Sequence, residues 1–131
     1  MLADRVRAVV ESGGSNDAVA ALYAPDALLD ANVPTWRFQC KGIADIAAQL
    51  QQWYGESPAR VEEIREWPAG SGSVVEYVER GTMGGQPVSS RALNLLFVEE
   101  GKVVRHIYYC TGPWDPDTEA RHKLEAPMYE P

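Results

Sequence analysis

Cysteine, histidine and clustered positive charge are what this chain has least of, and each shortage removes a class of function. Its two cysteines, Cys40 and Cys110, lie far apart with no metal-ligand spacing, so free buried thiols are expected rather than a disulfide framework. The two histidines, His106 and His122, are equally distant from each other, and no metal site is expected. Lys and Arg number 12 against 19 Asp and Glu, for a formal net charge of −7, and no basic cluster occurs. Binding to a nucleic-acid backbone or to an anionic membrane surface needs such a cluster, so neither partner is expected. The N-terminal Met1 to Ser12 lacks the apolar run of a signal peptide, and no window approaches the roughly 20 apolar residues of a membrane span. A cytoplasmic protein is expected. Internal repeats, linkers and low-complexity stretches are also missing.

What is present suits one domain: 131 residues, 45% hydrophobic and 24% charged. Leu2, Val6, Val9 and Val10 recur at helical spacing until Gly13-Gly14. Ser15, Asn16 or Asp17 can cap a second helix whose stripe is Val19, Leu22 and Tyr23, stopped by Pro25. Residues 27–33 then alternate, with Leu29, Ala31 and Val33 on one side and Asp30 and Asn32 on the other, which predicts a strand. Residues 34–42 read as a loop or short strand bearing Trp36 and Phe38. A strongly periodic helix follows from Ile43 to Tyr54, with Gly55 as its stop.

From residue 59 the period changes from 3.6 to 2. Residues 59–67 and 73–83 predict two strands, and Gly84-Gly85 predicts a tight turn that pairs Met83 with Gln86. That register sets Glu79 opposite Ser90, Tyr77 opposite Ala92 and Val75 opposite Asn94. Residues 91–110 predict a further hairpin around Glu99-Glu100-Gly101, read as a three-residue loop with Val98 opposite Lys102. Continued, it sets Leu96 opposite Val104, Asn94 opposite His106, Ala92 opposite Tyr108 and Ser90 opposite Cys110. One face then carries Tyr77, Glu79, Ser90, Asn94, Val104, His106, Tyr108 and Cys110; the other carries Leu93, Leu95, Phe97, Val103, Ile107 and Tyr109. Helices followed by a meander predict an α+β fold with the helices against one face of a curved antiparallel sheet. The second apolar face needs a cover, most simply another copy of the chain, so a homodimer is expected. Residues 115–131 are polar and proline-punctuated, with one helical turn near Thr118 to Leu124, and read as a C-terminal arm beyond a domain of residues 1–114.

Leu22-Tyr23-Ala24-Pro25-Asp26-Ala27 and Gly101-Lys102-Val103-Val104-Arg105-His106, in this order of elements, resemble the nuclear transport factor two-like superfamily, specifically its SnoaL-like and ketosteroid-isomerase-like branch. The resemblance spans about residues 3–114. It implies a cone-shaped pocket between the long helix and the concave sheet, a cystatin-like α+β barrel. It also implies where isomerase residues would fall: the catalytic aspartate at Ala31, the neutral acid at Asn94 and the oxyanion tyrosine near Val6 or Arg7. Ala31 cannot abstract a proton, and Asn94 can donate a hydrogen bond but cannot transfer a proton, which argues against ketosteroid isomerase chemistry.

His106 is the candidate catalytic residue, because an imidazole titrates near neutrality and can act as acid or base. The competing reading is a satisfied Asn94–His106 pair in an apolar wall. Glu79 would be a buried carboxyl with a raised pKa and so a plausible acid, unless it sits at the pocket mouth or pairs with an arginine. Asn94, Tyr77, Tyr108 and Trp36 are expected to line the pocket with Glu79. Asp30 is expected solvated or paired with Arg37, Cys110 packed and His122 solvated. Two functions fit: a cofactor-free isomerase, dehydratase or cyclase acting on a small apolar molecule, or a non-catalytic ligand-binding or dimerisation module.

Overall fold

The computed structural model describes residues 1–130; Pro131, the last residue of the expected arm, lies outside the described residues. Two short helices, α1 (Leu2–Glu11) and α2 (Asn16–Leu22), precede strands β1 (Tyr23–Val33) and β2 (Trp36–Lys41). Helix α3 (Ile43–Tyr54) leads into β3 (Arg60–Ala69), β4 (Gly72–Met83), β5 (Gln86–Glu99) and β6 (Lys102–Cys110), and α4 (Pro116–Glu125) closes the described chain. The strands form one sheet in the order β2-β1-β6-β5-β4-β3. The α+β fold is as expected, with two corrections. The sheet is mixed, because β1 runs parallel to β6, and it is open, with β2 and β3 as its edges.

Local chemistry explains the element ends. The Ser15 hydroxyl accepts the Ala18 N–H at 3.2 Å and caps α2. Helix α2 stops at Leu22, one residue earlier than its stripe predicts, because Tyr23 is already extended and opens β1. Gly14, at φ +75°, lets the α1–α2 turn press on α3: a Cβ there would stand 2.9 Å from Leu50. The Ala3 N–H at the start of α1 donates to the Glu66 carboxylate of β3 at 2.9 Å, fastening that helix to the sheet. The hydrophobic core lies between the three N-terminal helices and the concave face, around Val19, Leu22, Leu29, Ile46, Val75 and Val103.

The β4–β5 register is the expected one, including Glu79 opposite Ser90. The β5–β6 register is not. The loop has two residues, Glu100 and Gly101, both at positive φ, with Glu99 opposite Lys102. The ladder then shifts between Phe97 and Val98, which leaves Val104 as an extra residue. Beyond it Leu96 faces His106, Asn94 faces Tyr108 and Ala92 faces Cys110. The displacement from expectation is two residues there, and an even slip keeps side chains on their face. Nearer the turn the slip is odd, so Val103 is buried in the core rather than facing outward. A similar bulge at Glu63, φ +50°, puts Ile64 on the core side with Val61.

The segment after β6 holds more structure than one helical turn. Asp115 caps α4 by accepting the Thr118 N–H at 2.8 Å, and the Glu119 carboxylate accepts from Ser89 Oγ at 2.7 Å. No residue of α4 is buried, so the helix is tied to the sheet by polar contacts and by Trp114, whose backbone bridges to Ser89. Among the described residues, no helix is long and apolar enough to cross a membrane.

Candidate functional site

Inside the cone a polar chain runs between strands. The Asn94 Nδ2 donates to the Val75 carbonyl at 3.0 Å, which turns Oδ1 toward His106. Asn94 Oδ1 is 2.7 Å from His106 Nε2, and the Tyr23 hydroxyl is 2.7 Å from Nδ1. A carbonyl oxygen only accepts, so this order makes Nε2 the protonated nitrogen and Nδ1 the acceptor of the Tyr23 O–H. The imidazole is neutral and 5% exposed, and burial without a neighbouring anion pushes its pKa down to about 3. Both ring nitrogens are engaged by protein groups. The geometry matches the competing reading of a satisfied Asn94–His106 pair, with Tyr23 as its third member.

The cavity that opens to solvent lies farther along the sheet. It has a volume of about 270 Å³, and its wall includes Trp53 and Tyr54 from α3, Glu79 from β4, Ser90 from β5 and Tyr108 from β6. Trp53, Tyr54 and Tyr108 also bound a void of only about 20 Å³ beside His106, Tyr23 and Tyr77, so these three aromatic side chains separate His106 from the open cavity. Trp53 and Tyr108 sit with ring centroids 5.6 Å apart.

Among the described residues, Glu79 is the cavity's one charged lining residue. Its partner is a phenol, not an arginine: the Tyr54 hydroxyl donates to Oε2 at 2.8 Å. Burial raises the Glu79 pKa, and the Tyr54 hydrogen bond opposes part of that rise. Burial likewise raises the phenols of Tyr54, Tyr77 and Tyr108, so all three are hydrogen-bond donors at neutral pH.

Of the predicted lining residues, Glu79 and Tyr108 reach the open cavity. Tyr77 and Asn94 lie behind it with His106. Trp36 does not belong to it: as the first residue of edge strand β2, it is 70% exposed. Asp30 lies on the opposite face of β1 from Leu29 and Ala31, where Arg37 grips it through two hydrogen bonds at 2.9 and 2.8 Å. Those bonds hold its carboxyl below the usual range. Cys110 is half-buried at the cavity, and His122 packs against Trp114, with centroids 5.1 Å apart, instead of being fully solvated. Sequence reasoning had Tyr54 and Ser90 on buried faces but gave neither a role; the rung shared by Glu79 and Ser90 was the available signal.

The model of the SnoaL-like domain matches residues 3–106. Among solved structures, a Pseudomonas putida protein described as a polyketide cyclase is 19% identical, with 92% of this chain and 93% of that one covered and a TM-score of 0.67. An LEH-like epoxide hydrolase of M. tuberculosis is 17% identical over 83% of this chain and 79% of that one, at a TM-score of 0.65. A Catenulispora acidiphila protein with a ketosteroid isomerase-like fold, in complex with trimethylamine, is 17% identical over 83% and 86%, at 0.66. Likeness at these identities establishes the fold. No curated protein matches the chain.

Proposed function

The chain belongs to the SnoaL-like domain family, and from that premise we propose that it is a cofactor-free enzyme acting on a small, mostly apolar, uncharged molecule, with Glu79 as its acid–base group. One observation carries this reading: a half-buried carboxyl without a cationic partner on the wall of a cavity otherwise lined by uncharged side chains. The same absence of Lys and Arg from the wall disfavours anionic ligands, which would meet only Glu79. Relatives of the same fold that are described as a polyketide cyclase and an epoxide hydrolase support a small organic substrate.

Isomerisation, dehydration and cyclisation share one elementary step, proton transfer at a carbon beside a carbonyl. A carboxylate with a raised pKa is a stronger base for that step than an exposed one. His106 then serves the architecture, ordering the wall behind Tyr108. A homodimer through the outer face, where Leu93, Phe97 and Tyr109 are exposed, and a cytoplasmic location complete the reading.

The test is solvent-deuterium exchange at the α-carbons of 2-tetralone, followed by proton NMR. The protein should accelerate exchange above buffer, and Glu79→Gln should remove about 10²-fold or more of that acceleration. Equal rates in wild type and Glu79→Gln would end the catalytic reading. The second reading, a non-catalytic binding module, rests on Tyr54 already occupying one Glu79 oxygen. It predicts that 2-tetralone binds without accelerated exchange.

A further inference from the structure

Three serines are buried in this fold, and two of them are satisfied. Ser73 Oγ donates to Glu66 at 2.7 Å and Ser89 Oγ to Glu119 at 2.7 Å. Ser90 is 9% exposed, and its Oγ, itself shielded from solvent, has no hydrogen-bond partner among the described residues. Buried hydroxyls without partners are uncommon, because desolvation is then uncompensated. Ser90 lies on the concave side of β5 with Ala92 and Asn94, lines the open cavity, and stands on the rung directly opposite Glu79.

We infer that Ser90 is the ligand-positioning hydroxyl of this cavity, donating a hydrogen bond to a carbonyl oxygen while Glu79 addresses the carbon next to it. Residues paired across antiparallel strands have Cβ atoms about 5 Å apart, so the Ser90 hydroxyl, once turned about χ1 from its shielded position toward the cavity, and the Glu79 carboxyl can reach adjacent atoms of one ligand. The substrate class that follows is an uncharged ketone or lactone with an acidic α-carbon. This rests on the acid–base reading of Glu79 and adds the oxygen-binding side to it. In the step itself, the Glu79 carboxylate takes a proton from the α-carbon. The C–H electron pair becomes the enolate double bond, and the carbonyl π pair moves to the oxygen held by Ser90. Returning the proton to the same or a conjugated carbon completes the cycle without oxidant or cofactor. The Ser90 hydrogen bond strengthens as charge develops on that oxygen, so it acts more on turnover than on binding.

The experiment uses the full chain, 2-tetralone as the ketone and tetralin as its oxygen-free counterpart. Ser90→Ala is expected to lower kcat for α-deuterium exchange by about 10 to 100-fold, with KM changed less than about threefold and tetralin affinity unchanged. Ser90→Thr, which keeps the hydroxyl, should recover most of the rate. Because Ser90→Ala deletes an unpartnered hydroxyl, its Tm should equal or exceed that of wild type; a serine that only holds the fold together would show a lower Tm. Exchange by Ser90→Ala at the wild-type rate overturns the inference, as does a lowered Tm with the kcat loss tracking the unfolded fraction. If Glu79→Gln abolishes exchange and Ser90→Ala does not, only the role of Ser90 falls. If wild type does not accelerate exchange, both readings fall together.

Discussion

His106 and Asn94 are joined by a 2.7 Å hydrogen bond although they do not share a rung: Asn94 faces Tyr108, and His106 faces Leu96. The bond is diagonal, and with Tyr23 on the other nitrogen it ties β1, β5 and β6 together from within. His106→Ala leaves the Tyr23 hydroxyl and Asn94 Oδ1 buried without partners, while Asn94 Nδ2 keeps its bond to Val75. Each orphaned group costs about 1–3 kcal/mol, so a loss of about 3 kcal/mol or more in urea unfolding is expected, with His106→Gln losing less. Deuterium exchange by whatever fraction of His106→Gln remains folded should persist, since no ligand meets the imidazole.

The same imidazole sets an acid limb. Its folded pKa, about 3, lies below the unfolded value near 6.5, so the unfolded chain binds the extra proton between those values. The stabilising contribution is complete above about pH 6.5 and falls as pH drops toward 3, by at most about 1.4 kcal/mol per pH unit. Urea midpoints from pH 7 to 4 should decline in wild type and decline less in His106→Gln.

Glu79 acts with the opposite sign from most carboxyls. Its pKa is raised in the fold, chiefly by burial, so its contribution is intact below the unfolded pKa and is lost as pH rises through the folded one. Glu79→Gln should therefore melt higher than wild type at pH 8, with the difference shrinking toward pH 4. A difference that grows toward pH 4 would contradict the sign of the shift.

Tyr54 tunes that carboxyl, because its hydroxyl bond lowers the Glu79 pKa against the effect of burial. Tyr54→Phe should move the acid limb of the pH–rate profile for 2-tetralone exchange to higher pH. A profile that keeps its position would show that Glu79 titrates independently of Tyr54.

On the outer face, Leu93, Phe97 and Tyr109 are exposed beside the Arg65–Glu76 ion pair at 2.8 Å. Light scattering at micromolar concentration should give the mass of a dimer, and Phe97→Glu should halve it. A wild-type monomer removes the second copy as the cover for this face.

Periodicity and turn chemistry were enough to locate nearly every element, because helical stripes, Gly84-Gly85 and the capping Ser15 are local signals. They also set the β4–β5 register, so Glu79 opposite Ser90 could be read from residue order. Positions that depended on non-local balance could not be read this way. Val104 is an extra residue in β6 because a two-residue loop at Glu100-Gly101 has to be reconciled with the side chains packed farther along the ladder. The parallel β1–β6 pairing joins strands from opposite ends of the chain, for which no local pattern exists. His106 reads as catalytic because titration range is a property of residue type. Its closure behind Trp53, Tyr54 and Tyr108 is a property of packing, and packing leaves Glu79 as the charged side chain on the wall of the open cavity.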